Sequence, residues 1–191
     1  MHEFLEMAPG EWHITLPSSN IPNDGAEFRE AFTLSLSAPV NYWSQVYKPE
    51  RDLSVEVSAA RADKGVLLTI SVETAVSLPC YRCLEPAMAD VNGQLEYLVL
   101  KENEDSERDK EIDEDMELEI LNVESWDETI DLAPLVWEVL VTSLPVRAFC
   151  KPDCKGLCPQ CGANLNRTEC ACKKQATDPR FEVLRTLVEK K

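Results

Sequence analysis

Eight cysteines, six of them crowded into one short stretch, constrain this chain more than any other feature. They fall as Cys80-x2-Cys83, then Cys150-x3-Cys154-x3-Cys158-x2-Cys161, then Cys170-x-Cys172. A C-x2-C pair lets two sulfurs reach one tetrahedral zinc ion, at ~2.3 Å each, from a single tight turn. Cys158-Pro159-Gln160-Cys161-Gly162 has the form of such a knuckle. Its proline fixes the turn, and its glycine lets backbone N–H groups approach the second sulfur. Cys80-Tyr81-Arg82-Cys83 closes a strongly alternating strand, where a hairpin-borne knuckle belongs. Scattered core thiols would not cluster this way, and a redox-active C-x-x-C lacks its βαβ context.

The expected metal ligands are therefore Cys80, Cys83, Cys150, Cys154, Cys158, Cys161, Cys170 and Cys172, holding one or two zinc ions. Two pairings stay open. Cys158, Cys161, Cys170 and Cys172 are close enough in sequence to share an ion, leaving Cys80, Cys83, Cys150 and Cys154 for another. The rival joins the two C-x2-C knuckles, as zinc ribbons do. A catalytic zinc is not expected, because such sites keep an open position and a nearby base. The two histidines, His2 and His13, both lie near the N-terminus.

Compartment bears on the thiols. The opening MHEFLEMAPGEW has neither a basic nor an apolar signal region, and no apolar run reaches the ~18 residues of a membrane span. A cytoplasmic, reducing location is expected, where paired cysteines mean metal more often than disulfide.

Residues 53–100 carry the clearest fold signal. Leu53, Val55, Val57 and Ala59 alternate, then Val66, Leu68, Ile70, Val72, Val76 and Leu78 with Thr74 in the gap, then Val91, Leu95, Tyr97 and Val99. Period-two alternation predicts an antiparallel meander with one buried face. Asn92-Gly93 is a turn signal inside the third run, so a bulge or strand glycine competes with a hairpin there. Earlier, 11–16 and 27–37 read as short strands around the loop SSNIPNDG.

A helix is expected over 131–144, with Asp131 capping, Pro134 in the first turn and Pro145 ending it. A second is expected from Asp178-Pro179, with Phe181, Leu184, Leu187 and Val188 as its apolar stripe. The fold class is thus α+β: an antiparallel sheet or partial barrel, a covering helix, a zinc-bound cysteine-rich module and a terminal helix. The domain reading is a β domain over 1–100 carrying the first cysteine pair, an acidic flexible loop over 101–130, and 131–191 packed on the β domain.

Charge limits the partners. Residues 101–131 hold 15 acidic side chains against 3 basic, within a chain of net charge −16. Such a surface repels phosphate. Residues 150–191 reverse the balance, with 9 basic against 5 acidic, including Lys151, Lys155, Arg167, Lys173, Lys174, Arg180 and Arg185.

The segments PCYRCLEP (79–86), DLAPLVWEVLVTSLP (131–145), DCKGLCPQCGANLN (153–166) and DPRFEVLRTL (178–187) follow one another in this order. Together they resemble the YceD family, the bacterial large ribosomal RNA subunit accumulation proteins, over roughly residues 50–191. The resemblance implies a role in the synthesis, processing or stability of large-subunit ribosomal RNA, without a known catalytic activity, and the chain is expected not to be an enzyme. Family members differ in how many of these cysteines they keep; this chain has all of them. The expected partner is a large-subunit rRNA precursor, met through the basic C-terminal stretch, or a basic ribosomal protein drawn by the acidic run. No membrane or small-molecule partner is expected. Arg82 and Lys155 are candidate cations for RNA beside the metal, and Asn164 and Asn166 candidates for a base edge. The structural alternatives are a solvated arginine and an Asn-capped turn closing the loop. Other functional readings are a zinc-ribbon adaptor in another machine and a thiol switch. No P-loop, dinucleotide fingerprint or H-E-x-x-H accompanies them.

Overall fold

The computed structural model describes residues 4–62, 65–101, 119–123 and 129–172. Its elements, in chain order, are β1 (Thr15–Pro17), a 3-10 turn (Ser18–Asn20), β2 (Phe28–Leu34), β3 (Val40–Tyr42), β4 (Gln45–Pro49), β5 (Leu53–Ala62), β6 (Gly65–Pro79), β7 (Pro86–Lys101), β8 (Glu119–Val123), β9 (Thr129–Asp131) and the helix α1 (Ala133–Thr142).

The alternating runs become the centre of a seven-stranded sheet. β6 pairs antiparallel with β7 from Val66↔Val99 to Pro79↔Pro86, and with β5 from Ser54↔Glu73 to Ala62↔Gly65. β2 extends the sheet beyond β5. Past the end of β5, the far part of β6 takes β4 on the edge opposite β7, at Lys48↔Ser77 and Pro49↔Val76, and β3 pairs β4. The path β2-β5-β6-β4-β3 is open. Val55, Val57, Val66, Leu68, Ile70 and Val99 are fully buried on the inward face, as the period of two requires.

Two points correct the sequence reading. The stretch expected as loop over 101–130 contains β8 and β9. β8 joins β7 in parallel register, Tyr97↔Glu119 to Lys101↔Val123, so the sheet is not wholly antiparallel. Leu121 and Val123 pack against the core, the apolar contact that lets this part of an acidic segment join the sheet. β9 pairs β1, and Ile130 is buried there with Leu16. Residues 102–118 and 124–128, and the helix expected from 178, lie outside the described residues.

α1 lies across β6 and β7. Asp131 accepts the Ala133 N–H at 3.0 Å, so the expected cap side chain serves a helix beginning two residues later. Leu135, Val136, Val139 and Leu140 are buried, and Tyr97 in β7 donates to Glu138 at 3.0 Å. The N-terminal segment closes the other side of the helix: Trp12 meets Trp137 edge-on at 6.2 Å between centroids, and Leu132 N–H reaches the Ile14 carbonyl at 2.9 Å. Gly93 sits mid-strand in β7 under the end of α1. A Cβ there would lie 2.7 Å from Ser143 Cβ and 3.2 Å from Val139 Cγ1. Close approach of helix to sheet, not a turn, explains this glycine.

Candidate metal centres

After α1 the chain has little apolar material and, among the described residues, one isolated bridge, Leu157↔Asn164. What organises 146–172 is sulfur. Cys80, Cys83, Cys150 and Cys154 gather with all four Sγ atoms within 4.8 Å of one another; so do Cys158, Cys161, Cys170 and Cys172. The two C-x2-C pairs therefore fall in different clusters.

The first cluster is built on the turn between β6 and β7. Cys80 N–H reaches the Glu85 carbonyl at 2.7 Å and Leu84 N–H reaches the Cys80 carbonyl at 2.9 Å, with Leu84 in the left-handed region at φ 62°. This knuckle turns its own backbone N–H groups onto its sulfurs. The other two ligands arrive from 146–154, held by Tyr81 N–H to the Ala148 carbonyl at 2.9 Å. Arg82 donates to the Cys154 carbonyl at 2.9 Å, and Leu157 N–H reaches the Arg82 carbonyl at 3.1 Å. Gly156, at φ 75°, passes so close to Arg82 that a Cβ would stand 3.0 Å from its carbonyl oxygen.

Sulfur separations support a common centre. Cys80 Sγ and Cys154 Sγ are 3.8 Å apart, Cys83 Sγ and Cys150 Sγ 3.5 Å. A tetrahedron with ~2.3 Å metal–sulfur bonds has edges of about 3.8 Å. A disulfide would need about 2.05 Å, and all eight thiols are free.

Electrostatics point the same way. Burial opposes ionisation of Cys80, but N–H groups of Cys150, Arg82 and Cys83 outweigh it and bring the thiol down to about 6. N–H donors of Cys161 and Gln160 bring Cys158 down to about 6. Cys150 is pushed up to about 12, by burial and by the sulfurs of Cys83, Cys154 and Cys80. Cys172 is pushed up to about 12 by the Cys161 sulfur first, then by burial. The first cluster thus sets two thiols that ionise more readily, Cys80 and Cys154, against two that resist, Cys83 and Cys150; the second sets Cys158 against Cys170 and Cys172. A shared cation removes that conflict. A four-thiolate set in tetrahedral reach suits zinc or iron.

Asn164 and Asn166 form the loop's internal brace. Asn166 donates to Cys154 Sγ at 3.3 Å and accepts from Lys155 N–H at 2.9 Å. Asn164 accepts from Asn166 N–H at 3.0 Å and donates to Glu85 at 3.3 Å. Arg167 pairs with Glu85 at 3.0 Å. Both asparagines are spent on the turn and the sulfur, in line with the Asn-capped turn. In the second knuckle, Cys158 N–H reaches the Ala163 carbonyl at 2.8 Å, Gly162 N–H reaches the Cys158 carbonyl at 2.9 Å, and Gly162 takes φ 71°.

A family model described as large ribosomal RNA subunit accumulation protein YceD matches residues 68–188. An uncharacterised Mycobacterium tuberculosis protein is 33% identical over 69% of this chain and 60% of its own length. A Zea mays protein named large ribosomal RNA subunit accumulation protein YCED homolog 1, chloroplastic, is 29% identical over 66% of this chain and 50% of its own. An uncharacterised Bacillus subtilis protein is 27% identical over 88% of this chain and 91% of its own. The chain thus spans about three fifths of the mycobacterial relative and half of the maize one. No solved structure matches it.

Proposed function

The chain belongs to the YceD family, and from that premise we propose that it promotes accumulation of large-subunit ribosomal RNA as a non-enzymatic factor built around two zinc ions. The observation that carries this reading is the family match over 68–188, which takes in both four-cysteine clusters. Zinc fits sites that are wholly thiolate and organised by turns. Cys80, Cys83, Cys150 and Cys154 hold one ion and tie the C-terminal segment to the sheet; Cys158, Cys161, Cys170 and Cys172 hold the other and shape the segment's end. Four thiolates complete a tetrahedral shell, which leaves no open position for a substrate. That favours a structural role over catalysis. The partner is the large-subunit rRNA precursor or a basic ribosomal protein. The setting is a cytoplasm that keeps thiols reduced; no helix among the described residues is long and apolar enough to cross a membrane.

Cells lacking the protein test the function. The expected result is a fall in large-subunit rRNA relative to small-subunit rRNA, restored by the intact gene. An unchanged ratio overturns the proposal. The zinc assignment has its own test. Asn166→Ala removes the amide donor to Cys154 Sγ, and zinc affinity of the first cluster should fall about tenfold or more, read by competition with a chromophoric chelator. The second cluster's affinity should not change.

A further inference from the structure

The knuckle end of the sheet carries a group of exposed aromatic rings that the core does not need. Tyr81, between the first two cysteines, is 60% exposed, and Phe149, beside Cys150, is 44% exposed. Their rings meet edge-on at 6.4 Å. Each is covered by a guanidinium: Arg147 stands 4.6 Å over Tyr81 and Arg82 4.9 Å over Phe149. Leu84 and Val146 are exposed in the same two segments.

A third ring lies at this end. β3 and β4 are joined by Trp43-Ser44, both left-handed at φ 51° and 61°, in a two-residue turn that ordinarily takes Asn-Gly. Trp43 is 87% exposed, with its ring 6.2 Å from that of Tyr42. A bulky residue at positive φ with its ring in water gains nothing in folding. The register of β4 on β6, from Pro49↔Val76 to Lys48↔Ser77, carries this turn toward Pro79 and Cys80. Tyr47 anchors it there by donating to the Pro145 carbonyl at 3.3 Å.

Charge selects the occupant. Segments 80–85 and 146–155, with Arg167 paired to Glu85, bring five cations, Arg82, Arg147, Lys151, Lys155 and Arg167, against two acids, Glu85 and Asp153, on a chain of net −16. That excess outweighs the roughly −2 formal charge of zinc on four thiolates. The acidic surface elsewhere turns phosphate away, so an anionic polymer is admitted at this end. Rings interleaved with guanidinium planes are what unpaired bases stack on, while a duplex hides its base faces.

We infer that this end of the sheet binds single-stranded RNA, with bases stacking on Tyr81, Phe149 and Trp43 and phosphates meeting Arg147, Lys151 and Lys155. The inference deepens the rRNA reading by naming direct contact and its site. The test uses the full zinc-loaded chain, a short fluorescent single-stranded RNA of mixed sequence and its blunt duplex, followed by anisotropy across a salt series. The single strand should bind more tightly than the duplex, with affinity falling as salt rises. Tyr81→Ala and Phe149→Ala should each weaken binding about 5- to 100-fold. Tyr81→Phe, which keeps the ring, should bind within about twofold of the parent on the same stacking argument. Zinc content of each variant confirms that the knuckle survives. No binding at low salt, preference for the duplex, or equal affinity for all variants overturns the inference, while the rRNA deficit of cells lacking the protein stands apart from it. Loss of rRNA accumulation with Tyr81→Ala at unchanged RNA affinity assigns the surface to a protein partner and also overturns it.

Discussion

Cys80→Ser should abolish one of the two proposed zinc sites and detach residues 146–157 from the sheet. The first cluster joins sulfurs 74 and 67 positions apart in sequence, and its segment adds few apolar contacts to hold the chain once the sulfurs part. Structural zinc contributes ~10–16 kcal/mol in small modules. Replacing one of four thiolates by a weak oxygen ligand should cost a sizeable fraction of that, on the order of 5 kcal/mol. Denaturant unfolding followed by fluorescence reads the loss. Amide exchange locates it: the N–H groups of Tyr81 and Leu157, which bond Ala148 and Arg82 carbonyls across the joint, should lose protection first. Cys161→Ser is the contrasting variant. Cys161 is exposed, and its cluster closes only a short local loop. That substitution should lose the other ion and leave those two amides protected. Equal effects of the two variants would contradict the division of labour between the clusters.

The second large effect is expected at Gly93. In most strand interiors, glycine to alanine stabilises, because glycine gives up more conformational freedom on folding. Here the sign should reverse. The new Cβ would fall within 2.7 Å of Ser143 Cβ and on top of the Ser143 hydroxyl, pushing the end of α1 off β7. Gly93→Ala should therefore destabilise by about 1–3 kcal/mol, as overpacked cores do. Ser143→Gly in the same chain should recover most of that, leaving the milder contact with Val139. A thermodynamic cycle of the two substitutions reads the coupling directly. Additive effects would mean that the helix does not rest on Gly93.

How much of this the sequence reveals depends on whether a feature is local. β5, β6 and β7 are legible because one buried face writes itself as Leu53, Val55, Val57 and then Val66, Leu68, Ile70. The helix is legible because Asp131, Pro134 and Pro145 punctuate it. β8 is hidden in an acidic run, where only Ile120, Leu121 and Val123 mark it, and its parallel partner β7 lies well upstream. The β3–β4 turn is hidden for another reason: Trp43-Ser44 replaces the Asn-Gly that would announce it. Spacing alone pairs Cys80 with Cys83 and Cys158 with Cys161. It does not say whether the two knuckles share an ion or each takes a second pair, because that depends on the path of β7 and α1 in between. The Tyr81–Phe149 contact is invisible in sequence for the same reason. It exists because Cys150 is drawn to the knuckle that holds Tyr81. A sequence search for aromatic residues flanking metal-knuckle cysteines would have found both rings, though not their contact.

Native mass spectrometry of the purified, reduced chain tests the central claim most directly, since it counts metal on the folded protein. Two zinc ions on each folded chain are expected, falling to one for Cys80→Ser and to one for Cys161→Ser. A chain that stays fully folded and fully reduced with no metal bound, or one that carries iron in place of zinc, would contradict the account.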